Sequence, residues 1–168
     1  EECIDGANPV AATNDTTLYL DAAGAASVTG IEMNDGSSDD CAIVGYALDV
    51  SSFDCSDIGS PVTVTLTVTD GEGNTDTETA TVTVLDNAAP ALSASNATVS
   101  LSGSAYLLTP ATLSASASDN CTASPTIELS KDDTNWSSTL AYTCLDLGGN
   151  TVYVRATDGN SNVSTSIS

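Results

Sequence analysis

Residues 62–84 read VTVTLTVTDGEGNTDTETATVTV, two runs in which apolar and hydroxyl residues alternate almost without interruption. In a strand that period of two sends Val62, Val64, Leu66 and Val68 to one face and the intervening threonines to the other. One face is therefore dry and one wet. The glycine-containing acidic stretch between the runs reads first as a hairpin loop, with glycine taking the positive φ values. The same patterning predicts a first strand over 16–20, an AAGA turn, a second strand around 27–33, a third over 42–48, and the last pair over 62–69 and 77–84. No helical periodicity occurs, and short strands punctuated by turns predict an all-β sandwich.

The chain also matches itself. CSDIGSPVTVTLTVTD from Cys55 aligns with CLDLGGNTVYVRATD from Cys144, and both continue into a turn, DGEGN and DGNSN. SDDC ending at Cys41 matches SDNC ending at Cys121, 80 residues on, and LYLD at 18–21 matches VSLS at 99–102, 81 residues on. The offset grows to 89 between Cys55 and Cys144, which places an insertion in the second copy, at SKDDTNWSS. Ile4-Asp5 and Pro9 repeat the spacing of Leu85-Asp86 and Pro90. The expected organisation is a linker and the end of a preceding repeat over 1–9, module one over 10–87, and module two over 88–168 with a shortened last strand. Two origins fit: a window from a longer tandem array, or a subunit that borrows its missing half strand from a neighbour. Cys3 would then find its partner outside this chain.

Composition narrows the function. Lys131 and Arg155 stand against 23 acidic residues, a formal charge of −21, and there is no His. Such a surface repels phosphate backbones and anionic membrane faces. No apolar run approaches the ~20 residues of a membrane span. Without His or a basic cluster, Ser-His-Asp and phosphoryl-transfer sites cannot be assembled. The abundant carboxylates lack the aromatic sugar platform of a glycosidase, because Trp136 is the only Trp and Phe53 the only Phe. The chain is expected not to be an enzyme.

At VTVTLTVTDGEGN, YTCLDLGGNTVYVRATDGNSN, SDNC and LDNAAP the chain resembles the tandem immunoglobulin-like repeats of large secreted surface proteins from the Bacteroidetes, including HYR-type modules and the repeats of gliding adhesins. The second turn departs slightly, with Ser-Asn where the first has Gly-Asn. The resemblance implies sandwich modules that build stalks and filaments outside the cell.

Five cysteines without a CxxC pair argue against zinc and for disulfides in an oxidising compartment. Under the repeat, Cys41 with Cys55 and Cys121 with Cys144 are equivalent pairs; buried free thiols are the alternative. For metal, Asp70-Gly-Glu72-Gly-Asn74 begins like a calcium loop but lacks the closing Glu, so by itself it reads as a turn. In an immunoglobulin-like sandwich, however, this loop, the loop after the second strand and the entering linker share one end. That gathers Asp5, Asp35, Asp39, Asp40, Asp70, Glu72 and Asn74 for module one, and Asp86, Asn87, Asp119, Asn120 and Asp158 to Asn162, Asn160 included, for module two. Calcium there would stiffen a joint; solvated acidic loops are the bland alternative. Trp136, in the insertion, either caps the core or anchors a glycan or cell-surface ligand. The expected role is a secreted stalk, spacer or filament segment whose partners are neighbouring repeats or copies of itself. A ligand- or carbohydrate-binding adhesin pair is the alternative.

Overall fold

The computed structural model describes residues 6–167, so Cys3 and Asp5 lie outside the described residues. The chain divides into two units, Glu1–Asp86 and Asn87–Ser168. Both are mostly β, with few and brief helical turns.

Unit one contains β1 (Thr16–Tyr19), β2 (Ala25–Ser27), α1 (Gly30–Met33), β3 (Ile43–Leu48), β4 (Ser52–Asp54), β5 (Val62–Asp70) and β6 (Thr75–Leu85). One sheet runs β1-β6-β5-β3, and β2 pairs with β4. Strand β1 lies parallel to the far end of β6, from Thr16 opposite Val82 to Tyr19 opposite Leu85, while the other pairings are antiparallel. A final hairpin beside the third strand, with the second and fourth strands paired separately, is the strand plan of an immunoglobulin sandwich. The alternation in β5 does what its period requires: Val64, Leu66 and Val68 are buried, and so are Val82 and Val84 of β6. Burial of each such side chain stabilises by about 1.5–3 kcal/mol.

The second expected strand is broken: β2 ends at Ser27 and a helical turn follows. The cause is local. Thr29 caps the turn, its Oγ1 accepting from Glu32 N at 3.4 Å, while Glu32 Oε2 accepts from Thr29 N at 2.8 Å. This reciprocal box outweighs the short apolar pattern. Gly30 is required there, because a Cβ would sit 2.6 Å from the Tyr46 carbonyl oxygen.

Unit two contains β7 (Ala91–Ser93), β8 (Ala105–Leu108), β9 (Ser116–Ser118), β10 (Thr126–Ser130), β11 (Leu140–Thr143), β12 (Tyr153–Thr157) and β13 (Val163–Ile167). Its sheet runs β10-β12-β13, with β8 on β11 and β7 on β9. The core is Leu108, Leu113, Leu129, Tyr142, Val152 and Val154. A 3-10 turn over Pro110–Leu113 repeats α1 at the 80-residue offset. No strand forms at the counterpart of β1.

Trp136 neither caps the core nor stands free. It is half-buried, and the Arg155 guanidinium stacks on its ring, 4.5 Å from the centroid. Arg155 is itself fixed, because its Nε and Nη2 donate to Glu128 Oε2 at 2.9 and 2.7 Å across the β10–β12 pair. Lys131 packs 4.0 Å from the Tyr142 ring centroid and donates to the Ala141 carbonyl at 2.7 Å. Both positive side chains of the protein are thus spent on internal contacts.

The cysteines correct one expectation. Cys41, Cys55 and Cys121 are in disulfides. Cys144, however, is a free, exposed thiol, so Cys121 is not bonded to it. The repeat alignment makes Cys121 and Cys144 equivalent to Cys41 and Cys55 in sequence. Equivalence does not bring two sulfurs within bonding distance.

Candidate metal centre

The hairpin loop between β5 and β6 is held by one carboxylate. Asp70 Oδ1 accepts from Glu72 N at 2.9 Å and Asn74 N at 2.8 Å, and Oδ2 accepts from Asn74 Nδ2 at 2.8 Å. Gly73 closes the bend at φ +90°. Burial of Asp70 opposes its charge, but the bonds from the Asn74 side chain and from the backbone of Asn74, Glu72 and Gly73 outweigh it, and its pKa is lowered. With three bonds already on this carboxylate, the stretch serves as a turn.

Asp158 repeats the arrangement in unit two. Its Oδ1 accepts from Asn160 N and Asn162 N, both at 2.8 Å, and its Oδ2 from Asn162 Nδ2 at 2.8 Å. Ser161 holds the left-handed position of Gly73, at φ 72°. Asp119, in the loop after β9, is oriented in the same way: its Oδ2 accepts from Cys121 N at 3.0 Å and Thr122 N at 2.9 Å. Its Oδ1 is buried and accepts no hydrogen bond. Thr122 Oγ1 accepts from Gly159 N at 2.9 Å, which ties the Asp119 loop to the Asp158 turn. Asp86, the linker residue ahead of Asn87, is buried as well, at 7% exposure.

Asp86, Asp119 and Asp158 each offer an oxygen within 4.8 Å of the others, and this cluster could bind a metal. Two oxygens 2.3–2.6 Å from one calcium ion are at most about 5 Å apart, so the spacing fits a hard cation. An all-oxygen set with no sulfur or imidazole also suits calcium and not zinc.

Among the described acidic residues expected as ligands, Asp35, Asp39, Asp40, Asp70 and Glu72 form no such group. Asp35 is exposed and accepts from Asn14 Nδ2 at 2.6 Å. Asp39 Oδ2 caps Cys41 N at 3.1 Å, and its Oδ1 is buried without a hydrogen bond. Asp40, Glu72, Asn74, Asn87 and Asn160 are exposed, and Asn120 is half-buried. Among the described residues, no three acidic groups of unit one come together as Asp86, Asp119 and Asp158 do. Asp5, the counterpart of Asp86, lies outside the described residues. Thr122 was not foreseen; a hydroxyl directly after an Asn-Cys pair carries no signal in a chain so rich in threonine.

No helix among the described residues is long and apolar enough to cross a membrane. No protein-family profile matches the chain. No curated protein matches it either. Among solved structures it is similar to the crystal structure of DIP-gamma IG1+IG2, at 11% identity and a TM-score of 0.36, over 96% of this chain and 95% of that one. At that score the similarity adds nothing to the immunoglobulin-like plan read from the strand pairing.

Proposed function

We propose that this chain is a structural repeat of an extracellular surface adhesin or filament, acting as a stalk, spacer or filament building block. One observation carries the reading: a final hairpin beside the third core strand, with another strand pair apart from it and a helical turn at the same offset, occurs twice in succession along the chain. Tandem immunoglobulin-like units are typically non-catalytic, and repetition extends a chain without creating a new cleft. The disulfides suit an oxidising, extracellular setting. A charge of −21 keeps neighbouring copies from sticking at high local density.

Calcium completes the proposal. Held by Asp86, Asp119 and Asp158, it would offset the mutual repulsion of three carboxylates. The reading of the chain as a binding module is not favoured by Trp136, since Arg155 covers its ring. The discriminating experiment replaces this segment, in the surface protein that carries it, with unrelated immunoglobulin-like repeats of equal length. A spacer is interchangeable, so adhesion or filament length is retained. Loss of adhesion with surface display unchanged would establish a binding role instead.

A further inference from the structure

Asp119 and Cys121 share one turn. Asp119 Oδ2 accepts from Cys121 N at 3.0 Å and from Thr122 N at 2.9 Å, and Cys121 is held in a disulfide. The other oxygen, Oδ1, is buried and accepts no hydrogen bond. Unit one repeats the arrangement: Asp39 Oδ2 accepts from Cys41 N at 3.1 Å, Asp39 Oδ1 is buried without a hydrogen bond, and Cys41 is oxidised as well. Twice, then, an oxidised cysteine accompanies an aspartate that keeps one bare oxygen away from water. Asp119 is also a member of the cluster with Asp86 and Asp158.

Such an oxygen is costly to hold in place. A buried carboxylate oxygen without a partner has given up its water and received nothing in return, so an unrestrained Asp119 would turn outward. Hydrogen bonds oppose that rotation. Two reach Oδ2 from the backbone, and Thr122 Oγ1 accepts from Gly159 N at 2.9 Å, which fastens this turn to the one that Asp158 organises through Asn160 N and Asn162 N. All of residues 119–122 are only half-buried, so water can compete for those bonds. The disulfide at Cys121 pins the same turn covalently, and water cannot replace it.

We propose that the Cys121 disulfide sets the calcium affinity of the cluster, so that the oxidised chain holds the ion more tightly than the reduced one. The inference rests on the calcium reading above and adds its regulation. Reduction takes a dithiol: one of its thiolates attacks a sulfur of the bond, and its second thiol then closes the reagent into a cyclic disulfide. Two electrons and two protons pass to the protein, and Cys121 and its former partner become thiols. The turn over 119–122 then samples other conformers, and calcium binds only the one that presents Asp119. If that conformer is populated about one-tenth of the time, the apparent Kd rises about tenfold. Linkage makes the effect reciprocal. Bound calcium favours the disulfide by the same factor, which lowers its midpoint potential by about 30 mV for a two-electron couple.

Two measurements on the whole chain test this. Calorimetric calcium titration before and after dithiothreitol should give a Kd about tenfold higher in the reduced chain. Alkylation of Cys121, followed by mass spectrometry at poised dithiol-to-disulfide ratios, should give a midpoint about 30 mV lower in calcium than in EGTA. Thr122→Val removes the tie to Gly159 N and leaves every cysteine in place, so it should weaken calcium binding more in the reduced chain than in the oxidised one. Far-UV circular dichroism in EGTA separates a loosened turn from an unfolded unit: it should be unchanged by reduction, and its loss would overturn the proposal, because affinity would then follow folding. Calcium bound with the same Kd in both redox states, or a Cys121 midpoint indifferent to calcium, would overturn the proposal and leave the calcium reading standing. An oxidised chain that binds no calcium would remove both.

Discussion

Replacing Asp119 by Asn should move stability in opposite directions with and without calcium. In a chelator, three carboxylates share one cluster with no cation, and each pair lies within 4.8 Å. At that separation, two unit charges repel by roughly 1–3 kcal/mol for effective dielectrics between those of water and a protein surface. Asp119→Asn removes two such pairs while keeping an oxygen to accept from Cys121 N and Thr122 N, so the variant should gain about 1–3 kcal/mol in EGTA after screening by solvent and salt. In calcium the sign reverses. An ion present at a hundred times its Kd adds about 2.7 kcal/mol, and a hundredfold weaker site retains only about 0.4 kcal/mol of that. For a unit of this size, 1 kcal/mol is about 4–8 °C in Tm. Scanning calorimetry of wild type and variant in EGTA and in millimolar calcium should therefore show curves that cross. Equal shifts of the same sign in both buffers would mean that no ion occupies the cluster.

Three further outcomes follow from particular residues. Gly30→Ala forces a Cβ to within 2.6 Å of the Tyr46 carbonyl and should destabilise unit one by about 1–3 kcal/mol, whereas Ser161→Gly removes a left-handed serine and should stabilise unit two by about 1 kcal/mol; chemical denaturation reads both, and a neutral result in either contradicts the backbone geometry. Iodoacetamide without denaturant should label Cys144 and leave Cys41, Cys55 and Cys121 untouched, and Cys144→Ser should leave Tm unchanged; protection of Cys144 would place its sulfur in a bond. The pKa values of Asp132 and Asp146 lie below the ordinary 3.8, lowered chiefly by the Asn135 and Thr143 backbone bonds respectively, and that of Asp70 is lowered despite its burial. Folded values below unfolded ones give stability that is present above about pH 4 and is lost as pH falls through the folded pKa, so Tm should drop between pH 4 and pH 2, and a constant or rising Tm would remove that contribution.

The strands that pair over many residues were readable in advance, because β5 and β6 carry a period-two pattern long enough to exclude a helix. Short elements were not. Strand β4 spans three residues whose only apolar side chain is Phe53, and α1 is set by the Thr29–Glu32 box inside what reads as a strand. At the metal cluster, Asp86, Asp119 and Asp158 were named from the strand plan, because loops at one end of a sandwich converge. The plan did not say which of the neighbouring acids are already spent on turns. Asp70 is buried under three hydrogen bonds and Asp35 is engaged by Asn14, and such partners depend on backbone geometry that composition does not encode. The Cys121–Cys144 pairing failed for a related reason, since repeat symmetry aligns sequence positions and not sulfur atoms.

The central claim, that these are mechanical units in series and not a scaffold for chemistry, is tested most directly by pulling single chains in reducing buffer with calcium and then with EGTA. Two separate unfolding events per chain are predicted, each releasing roughly 25 nm for a unit of about 80 residues, with the force for one event falling when calcium is withdrawn. A single cooperative event for the whole chain, or two whose forces ignore calcium, would contradict the account.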